Sequence, residues 1–382
     1  MLTLATLTAT LLLASSVAAA STEIPTLNGP RKIGKRCTGS ITSLADVAAA
    51  ELCTTIVIGG FTVPAGQTFT LSPPDGASVS LTGAITFGFA NWAGPLMVVT
   101  GNNITFNGNG HELVGQGPLY WDGLGGNGGV VKPAPLLRIN MGGSFTNIKV
   151  SNSPARAIAI GGNSLTVSGI NIDNCEFPGY FPAGDAPNSK SNGAAAGHNT
   201  DGFDVSAHDV TISGSTIKNQ DDCLAINRGT NIVFTGNTCS GGHGISVGSI
   251  NTNTTVSGVQ ITGNTVTAST NGLRIKTDAV ATGSLVSNVV YSNNKLSGIT
   301  QFGVLIDQSY PSTLGTPGTG VVINTVTFSG TNTIAVGSAA QRVSVNCGST
   351  SSCTGAWNFG GLTVTGGTAG VIKNAPVNGG SF

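Results

Sequence analysis

Three aspartates pose the chemical question. Asp201 lies in Asn199-Thr200-Asp201-Gly202-Phe203-Asp204, and the consecutive Asp221 and Asp222 lie in Asn219-Gln220-Asp221-Asp222-Cys223. Asp201 and Asp222 are 21 residues apart, and His243 follows Asp222 by another 21, in Gly241-Gly242-His243-Gly244. Arg274 and Lys276 stand two apart in Leu273-Arg274-Ile275-Lys276, so on a strand they share a face and Ile275 takes the other. Gathered carboxylates raise one another's pKa, which lets one act as an acid while another stays ionised. A nearby histidine can hydrogen-bond a carboxyl group and help hold its proton. Two cations on one face suit a substrate carboxylate. Each feature also has a plain reading. An Asp in an Asn-rich chain is often a turn residue, a His between glycines often sits at a corner, and the two cations can simply pair with the aspartates. Consecutive Asp221 and Asp222 would point to opposite faces of a regular strand, so a bend or bulge is needed if both serve one site.

Such spacing has meaning only if the chain coils with the same period. A short pattern (apolar residue, Ser or Thr, then Gly or Asn) recurs at Phe145-Thr146-Asn147, Val167-Ser168-Gly169, Ile212-Ser213-Gly214, Phe234-Thr235-Gly236 and Ile261-Thr262-Gly263. The steps from 147 to 169 and from 214 to 236 are both 22 residues. A fixed period in the twenties marks a solenoid. The units are rich in Val, Ile and Thr with period two, and Gly and Asn punctuate them as left-handed corners. Leucine-rich repeats share the period but need regularly placed Leu and a helical half, and neither is visible. The expected fold is all-β, a single-domain parallel β-helix. It places 201, 222 and 243 on successive coils, about 4.8 Å apart. Segments 115–133 and 176–198, with Trp121 and Tyr180, read as loops protruding from the coil. Ser43–Leu52 reads as a short capping helix.

The ends and the composition set the compartment. Residues 2–20 carry no charge, centre on Leu11-Leu12-Leu13 and end in Ala18-Ala19-Ala20, a signal-peptide pattern too short and too interrupted for a membrane span. Residues 21–36 end in Lys35-Arg36, as a propeptide removed during secretion would, leaving 37–382 as the mature domain. That mature part loses Arg31, Lys32, Lys35, Arg36 and Glu23 and carries a net charge of −3, so it has no general attraction for nucleic acid or other polyanions. Charged residues are 8% of the chain, so any cluster of them is informative. A secreted chain with 7 cysteines favours disulfides, and three close pairs suggest themselves: Cys37–Cys53, Cys223–Cys239 and Cys347–Cys353. Cys175 is left over, and no C-x-x-C spacing suggests zinc. Asn103 and Asn253 head glycosylation sequons.

Taken together, Asn199-Thr200-Asp201, Gln220-Asp221-Asp222-Cys223, Gly242-His243-Gly244 and Arg274-Ile275-Lys276 resemble the glycoside hydrolase family 28 polygalacturonases, especially the fungal endo-acting type. The resemblance runs from about Cys37 to residue 366 and includes Tyr120-Trp121-Asp122-Gly123. It implies a right-handed helix and hydrolysis of α-1,4-galacturonan with inversion. It implies no metal and no cofactor, with polygalacturonate or pectin as the partner and a secreted monomer that does not associate with membranes. By the same resemblance Asp221 is the general acid, Asp201 and Asp222 activate water, and His243 supports the acid. Arg274 and Lys276 hold the galacturonate carboxylate, Asn199 lines the site and Tyr310 contacts the sugar. The chain departs from the pattern at Arg156, at Arg228 and in a shortened stretch after Gly248. The family's last cysteine pair is missing, so the C-terminus is expected to fray. Exo-acting hydrolysis, a decorated galacturonan as substrate, and a non-catalytic galacturonan-binding helix are the rival readings. A calcium-dependent lyase on the same fold would need an acidic cage and an arginine base.

Overall fold

A computed structural model describes residues 32–174 and 187–382. The expected signal peptide, most of the expected propeptide, Cys175 and Tyr180 lie outside the described residues. The described chain winds as a solenoid whose strands pair in parallel with those of the coils before and after. Each coil supplies three short strands, which stack into three ladders. Parallel pairing buries both the ladder hydrogen bonds and one side-chain face, so alternate residues form continuous interior columns. In the ladder that carries the aspartates, Phe203, Leu224, Ile245, Leu273 and Val304 are aligned, and so are Val205, Ile226, Val247, Ile275 and Ile306. All ten are buried. Between them runs an outward column of Asp204, Ala225, Ser246, Arg274 and Leu305. A one-residue slip would exchange core for groove, so the apolar columns fix which polar residues face outward.

Corners hold the coils in line. Asn237, Asn264, Asn294 and Asn332 are buried and form a ladder of their own. The side-chain oxygen of Asn264 accepts from the Asn237 N–H at 2.9 Å, that of Asn294 from the Asn264 N–H at 3.0 Å, and that of Asn332 from the Asn294 N–H at 3.1 Å. Each therefore satisfies a backbone donor that the bend would leave buried and unpaired. Aromatic rings stack at the ladder ends, Phe106 on Phe145 at 4.5 Å and Tyr291 on Phe328 at 4.8 Å.

The three expected disulfides are present: Cys37–Cys53, Cys223–Cys239 and Cys347–Cys353. The cap at the first coil is a 3-10 turn, Leu44–Asp46, followed by the helix Val47–Ala50. The C-terminus differs from expectation. It folds back as Val377–Asn378, paired with Trp357 and Asn358, while Ser381 bridges Thr363 and Phe382 packs toward Phe359. Apolar packing and backbone pairing fasten an end that has no cysteine to tie it.

Candidate active site

The bend required for Asp221 and Asp222 is present. Both precede the strand Leu224–Thr235, on an irregular segment that follows Thr216–Lys218. Buried Asn219 shapes it, its amide donating to the carbonyls of Asp221 and Asp222 at 2.9 Å each and to that of Thr200 at 3.0 Å. The Cys223–Cys239 disulfide ties the next residue to the following coil. Gly242 and Gly244 flank His243 because nothing larger fits. A Cβ on Gly242 would lie 2.1 Å from the Asp221 carbonyl oxygen, and one on Gly244 2.2 Å from that of Asn271. Both also have positive φ, 62° and 81°.

The coil spacing brings the chosen residues together. The Phe203–Leu224–Ile245 register sets Asp201 beside Asp222 and Asp222 beside His243 on successive coils. The ring Nδ1 of His243 lies 3.0 Å from Asp221 Oδ1, and the amide of Asn199 donates to Asp221 Oδ2 at 3.2 Å. Asp222 is buried. Its Oδ1 accepts from Ser246 Oγ at 2.8 Å and Arg274 Nη2 at 2.5 Å, and its Oδ2 from Lys276 Nζ at 2.8 Å. Lys276 also lies over the Tyr310 ring, 5.1 Å from its centre. Asn199, Asp201, Asp221, Asp222, His243, Arg274, Lys276 and Tyr310 all line one open cavity of 530 Å³, which crosses successive coils along the helix. Trp121, by contrast, is a buried anchor, donating to the Ser153 carbonyl at 2.9 Å.

The carboxyl groups sit in different electrostatic settings. Burial, then the charges of Asp221, Asp204 and Asp222, push Asp201 well above the usual carboxylate range. Burial pushes Asp221 up as well, but the His243 hydrogen bond and the charges of His243 and Lys276 outweigh it and hold it below that range. For His243, burial favours the neutral ring, yet the hydrogen bond and charge of Asp221 prevail and raise its pKa. Asp201 is therefore biased toward its protonated form, Asp221 toward the anion, and His243 toward the charged ring that hydrogen-bonds it. This unequal set is what acid–base chemistry requires.

Three groups escaped the sequence reading. Ser246 bridges Asp222 and Arg274 through its hydroxyl. Asp204 faces the same cavity, and burial, against the pull of Arg156, pushes its carboxyl up to about 6. The third is the set of contacts that the expected loop after Trp121 makes with the site. The loop's Gly126 N–H donates to Asn199 Oδ1 at 3.0 Å, and Asp122 and Lys132 brace it with an ion pair at 2.8 Å. Only the outward alternation from Arg274 hinted at Ser246, and nothing in the order of residues pointed to the loop's contacts. One oxygen or nitrogen from each of Asp221, Asp222 and His243 lies within 4.8 Å of the others, as metal ligands would. Both Asp222 oxygens are already paired with Arg274 and Lys276, so a divalent cation there would sit against two fixed positive charges.

Comparison with known proteins agrees with this geometry. Residues 53–380 match the family described as "Glycosyl hydrolases family 28". The chain is 45% identical over 334 residues to "Endo-polygalacturonase" of Sclerotinia sclerotiorum, covering 85% of this chain and 82% of that one. It is 44% identical over 354 residues to "Probable endopolygalacturonase A" of Neosartorya fischeri, covering 90% and 91%. Among solved structures, endopolygalacturonase I from Stereum purpureum, complexed with two galacturonate, superposes with a TM-score of 0.82 at 47% identity, covering 90% of this chain and 99% of that one. With its motifs on one groove and the match spanning nearly the whole solenoid, the chain belongs to glycosyl hydrolase family 28.

Proposed function

We propose that this protein is an endopolygalacturonase that hydrolyses α-1,4 linkages within polygalacturonate, the backbone of pectin. The observation that carries the reading is the convergence of Asp201, Asp221 and Asp222 with Arg274 and Lys276 on one open cavity. A polymer can lie along such a groove, and the names of the relatives above support galacturonate as its unit.

In this reading the galacturonate carboxylate approaches Arg274 and Lys276. That draws part of their charge away from Asp222, which becomes a better proton acceptor for the attacking water. An inverting acid–base pair commonly stands about 6.5–9.5 Å apart; Asp221 and Asp222 approach within 4.8 Å, a tighter pair that leaves the water beside the sugar rather than between distant carboxylates. The Asp221–His243 pair stores one proton across a 3.0 Å contact. When the incoming anion and the loss of water weaken the pull on Asp221, the proton moves from imidazole to carboxyl and then to the glycosidic oxygen. Asp222 takes the proton of the attacking water, which the protonated Asp201 orients by a hydrogen bond, Asn199 fixes the outer oxygen of Asp221, and Tyr310 supports the sugar. A second reading exchanges two roles: Asp201, whose carboxyl is pushed furthest toward the protonated form, would be the acid. Aryl oligogalacturonides separate the readings, since an aryl leaving group departs without protonation. Asp221→Asn should recover activity on them and Asp201→Asn should not. The reverse pattern would make Asp201 the donor.

We also propose secretion, with 1–20 as leader and 21–36 as propeptide. Among the described residues no helix is long and apolar enough to cross a membrane. Lys35 and Arg36 are exposed, and cleavage after Arg36 would leave Cys37 held by Cys53. Asn103 and Asn253 are exposed at left-handed turns, φ 55° and 56°, where a glycan would project into solvent.

A further inference from the structure

Charge is unbalanced at the end of the groove away from Arg274 and Lys276. Arg156 lines the cavity, and its side chain is half exposed. Its one carboxylate partner among the described residues is Asp204, whose Oδ2 lies 3.8 Å from Arg156 Nε, an ion pair too long for a hydrogen bond. That same Oδ2 is buried and accepts no hydrogen bond. Arg138 lies one coil further out and is partly buried, and among the described residues it has no carboxylate partner. It points outward in the Asp204 column, separated from Asp204 only by Ala159. The two guanidinium groups are near enough that the charge of Arg156, after burial, lowers the Arg138 pKa. Two neighbouring cations, one with a single distant carboxylate and the other with none, leave positive charge that a further anion would balance.

The register locates that anion. Arg156 is aligned with Asp201 one coil on, and the coils of Asp222, His243 and Arg274 follow in order. Four coil steps separate Arg156 from Arg274, roughly 19 Å at the spacing between neighbouring strands. The acidic centre thus lies between two cationic stations. We infer that Arg138 and Arg156 form a second carboxylate site, which grips a galacturonate unit on the opposite side of the scissile bond from Arg274 and Lys276. This rests on the polygalacturonate reading and adds to it a specificity determinant for long, unesterified chains. Arg is suited to the task because its planar fork can hold a carboxylate through two parallel hydrogen bonds.

The test compares wild type with Arg156→Gln and with the double variant Arg138→Gln/Arg156→Gln. On polygalacturonate the double variant should raise KM about five- to tenfold with little change in kcat, and the single variant should raise it in part. The bonds cut in an end-labelled galacturonate hexamer should shift, which a merely structural role would not cause. In an Asp221→Asn background, calorimetric titration with the hexamer should show the same loss of affinity and a weaker dependence on salt. Unchanged KM, unchanged cleavage positions and unchanged hexamer affinity would overturn the second site. If wild type itself fails to cut polygalacturonate, the functional reading falls, and hexamer titration still reports on the arginines. The half-exposed Arg156→Gln change keeps the question open to measurement should the double variant misfold.

Discussion

At the level of single residues, the site works by giving similar groups unequal surroundings. Asp222 is a buried carboxylate whose oxygens are taken by Arg274, Lys276 and Ser246. Removing one partner of a buried pair costs roughly 3–5 kcal/mol, because the other charge is left uncompensated. Lys276→Met should therefore lower the thermal midpoint as well as weaken substrate binding, measured by melting and by KM. Asp221→Asn preserves shape but cannot donate a proton. It should reduce kcat on polygalacturonate by about 10²–10⁴-fold with a near-native melting temperature. Much of this was legible in the order of residues: the 21-residue spacing named Asp201, Asp222 and His243, and the i, i+2 spacing named Arg274 and Lys276. Spacing alone did not say which carboxyl His243 meets, because a one-residue difference in reach is invisible in it; the family resemblance named Asp221, and His243 Nδ1 lies 3.0 Å from that carboxyl. Arg138 was hidden in another way: Leu137 and Ile139 mark it as an outward residue, but only the register across Ala159 puts it in the same column as Asp204.

At the level of elements, loops and corners fix what the strands only bring near. The Asp122 carboxylate ties its loop shut, accepting from Lys132 at 2.8 Å and from the N–H groups of Leu124 and Val130 at 3.0 Å each. The loop in turn fixes the Asn199 amide against Asp221. Asp122→Ala should loosen this chain of contacts. We expect kcat to fall about tenfold and the pH–rate profile to shift, although Asp122 itself lies outside the reacting groups; an unchanged profile would reduce the loop to a scaffold. The corners were partly misread in the sequence. Asparagines were taken as left-handed turn formers, which Asn147, Asn231 and Asn293 are, at φ 54°, 57° and 56°. Asn237, Asn264, Asn294 and Asn332 instead point inward and serve the backbone, a role the residue type alone does not reveal. Asn264→Ala removes donors and acceptors from that buried ladder and should cost about 2–3 kcal/mol, read as a lower denaturant midpoint with unchanged kcat.

At the level of the whole molecule, stability and acidity are linked. Asp204 has its pKa raised from 3.8 to about 6. Its neutral form is favoured by folding, so the contribution is intact below pH 3.8 and is lost as pH rises through about 6. Asp201, raised well above 3.8, acts in the same direction, whereas the lowered Asp221 contributes above 3.8 and loses its contribution as pH falls. Melting temperature should therefore peak in mild acid and decline toward neutrality. Asp204→Asn should flatten the decline between about pH 4 and 6, which a pH series of thermal scans would measure. The winding itself was readable because each coil repeats the same apolar alternation, and an error in one coil is corrected by the next. The C-terminus was misjudged because its anchoring relies on Phe382, Ser381 and Val377 meeting distant coils. That anchoring has a wider effect. A stack of parallel strands invites another molecule to continue it, since each terminal coil has backbone groups seeking partners. Here the last strands are two residues long, Ile372–Lys373 and Val377–Asn378, and the first coil lies beneath Val47–Ala50. The longer outer strands are also occupied, Lys35–Ile41 by the helix Val47–Ala50 packed against it and Leu362–Thr368 by the Ser381 bridge at Thr363, so little unpaired backbone is left at either end to seed a fibre and a shape closely allied to amyloid stays dispersed.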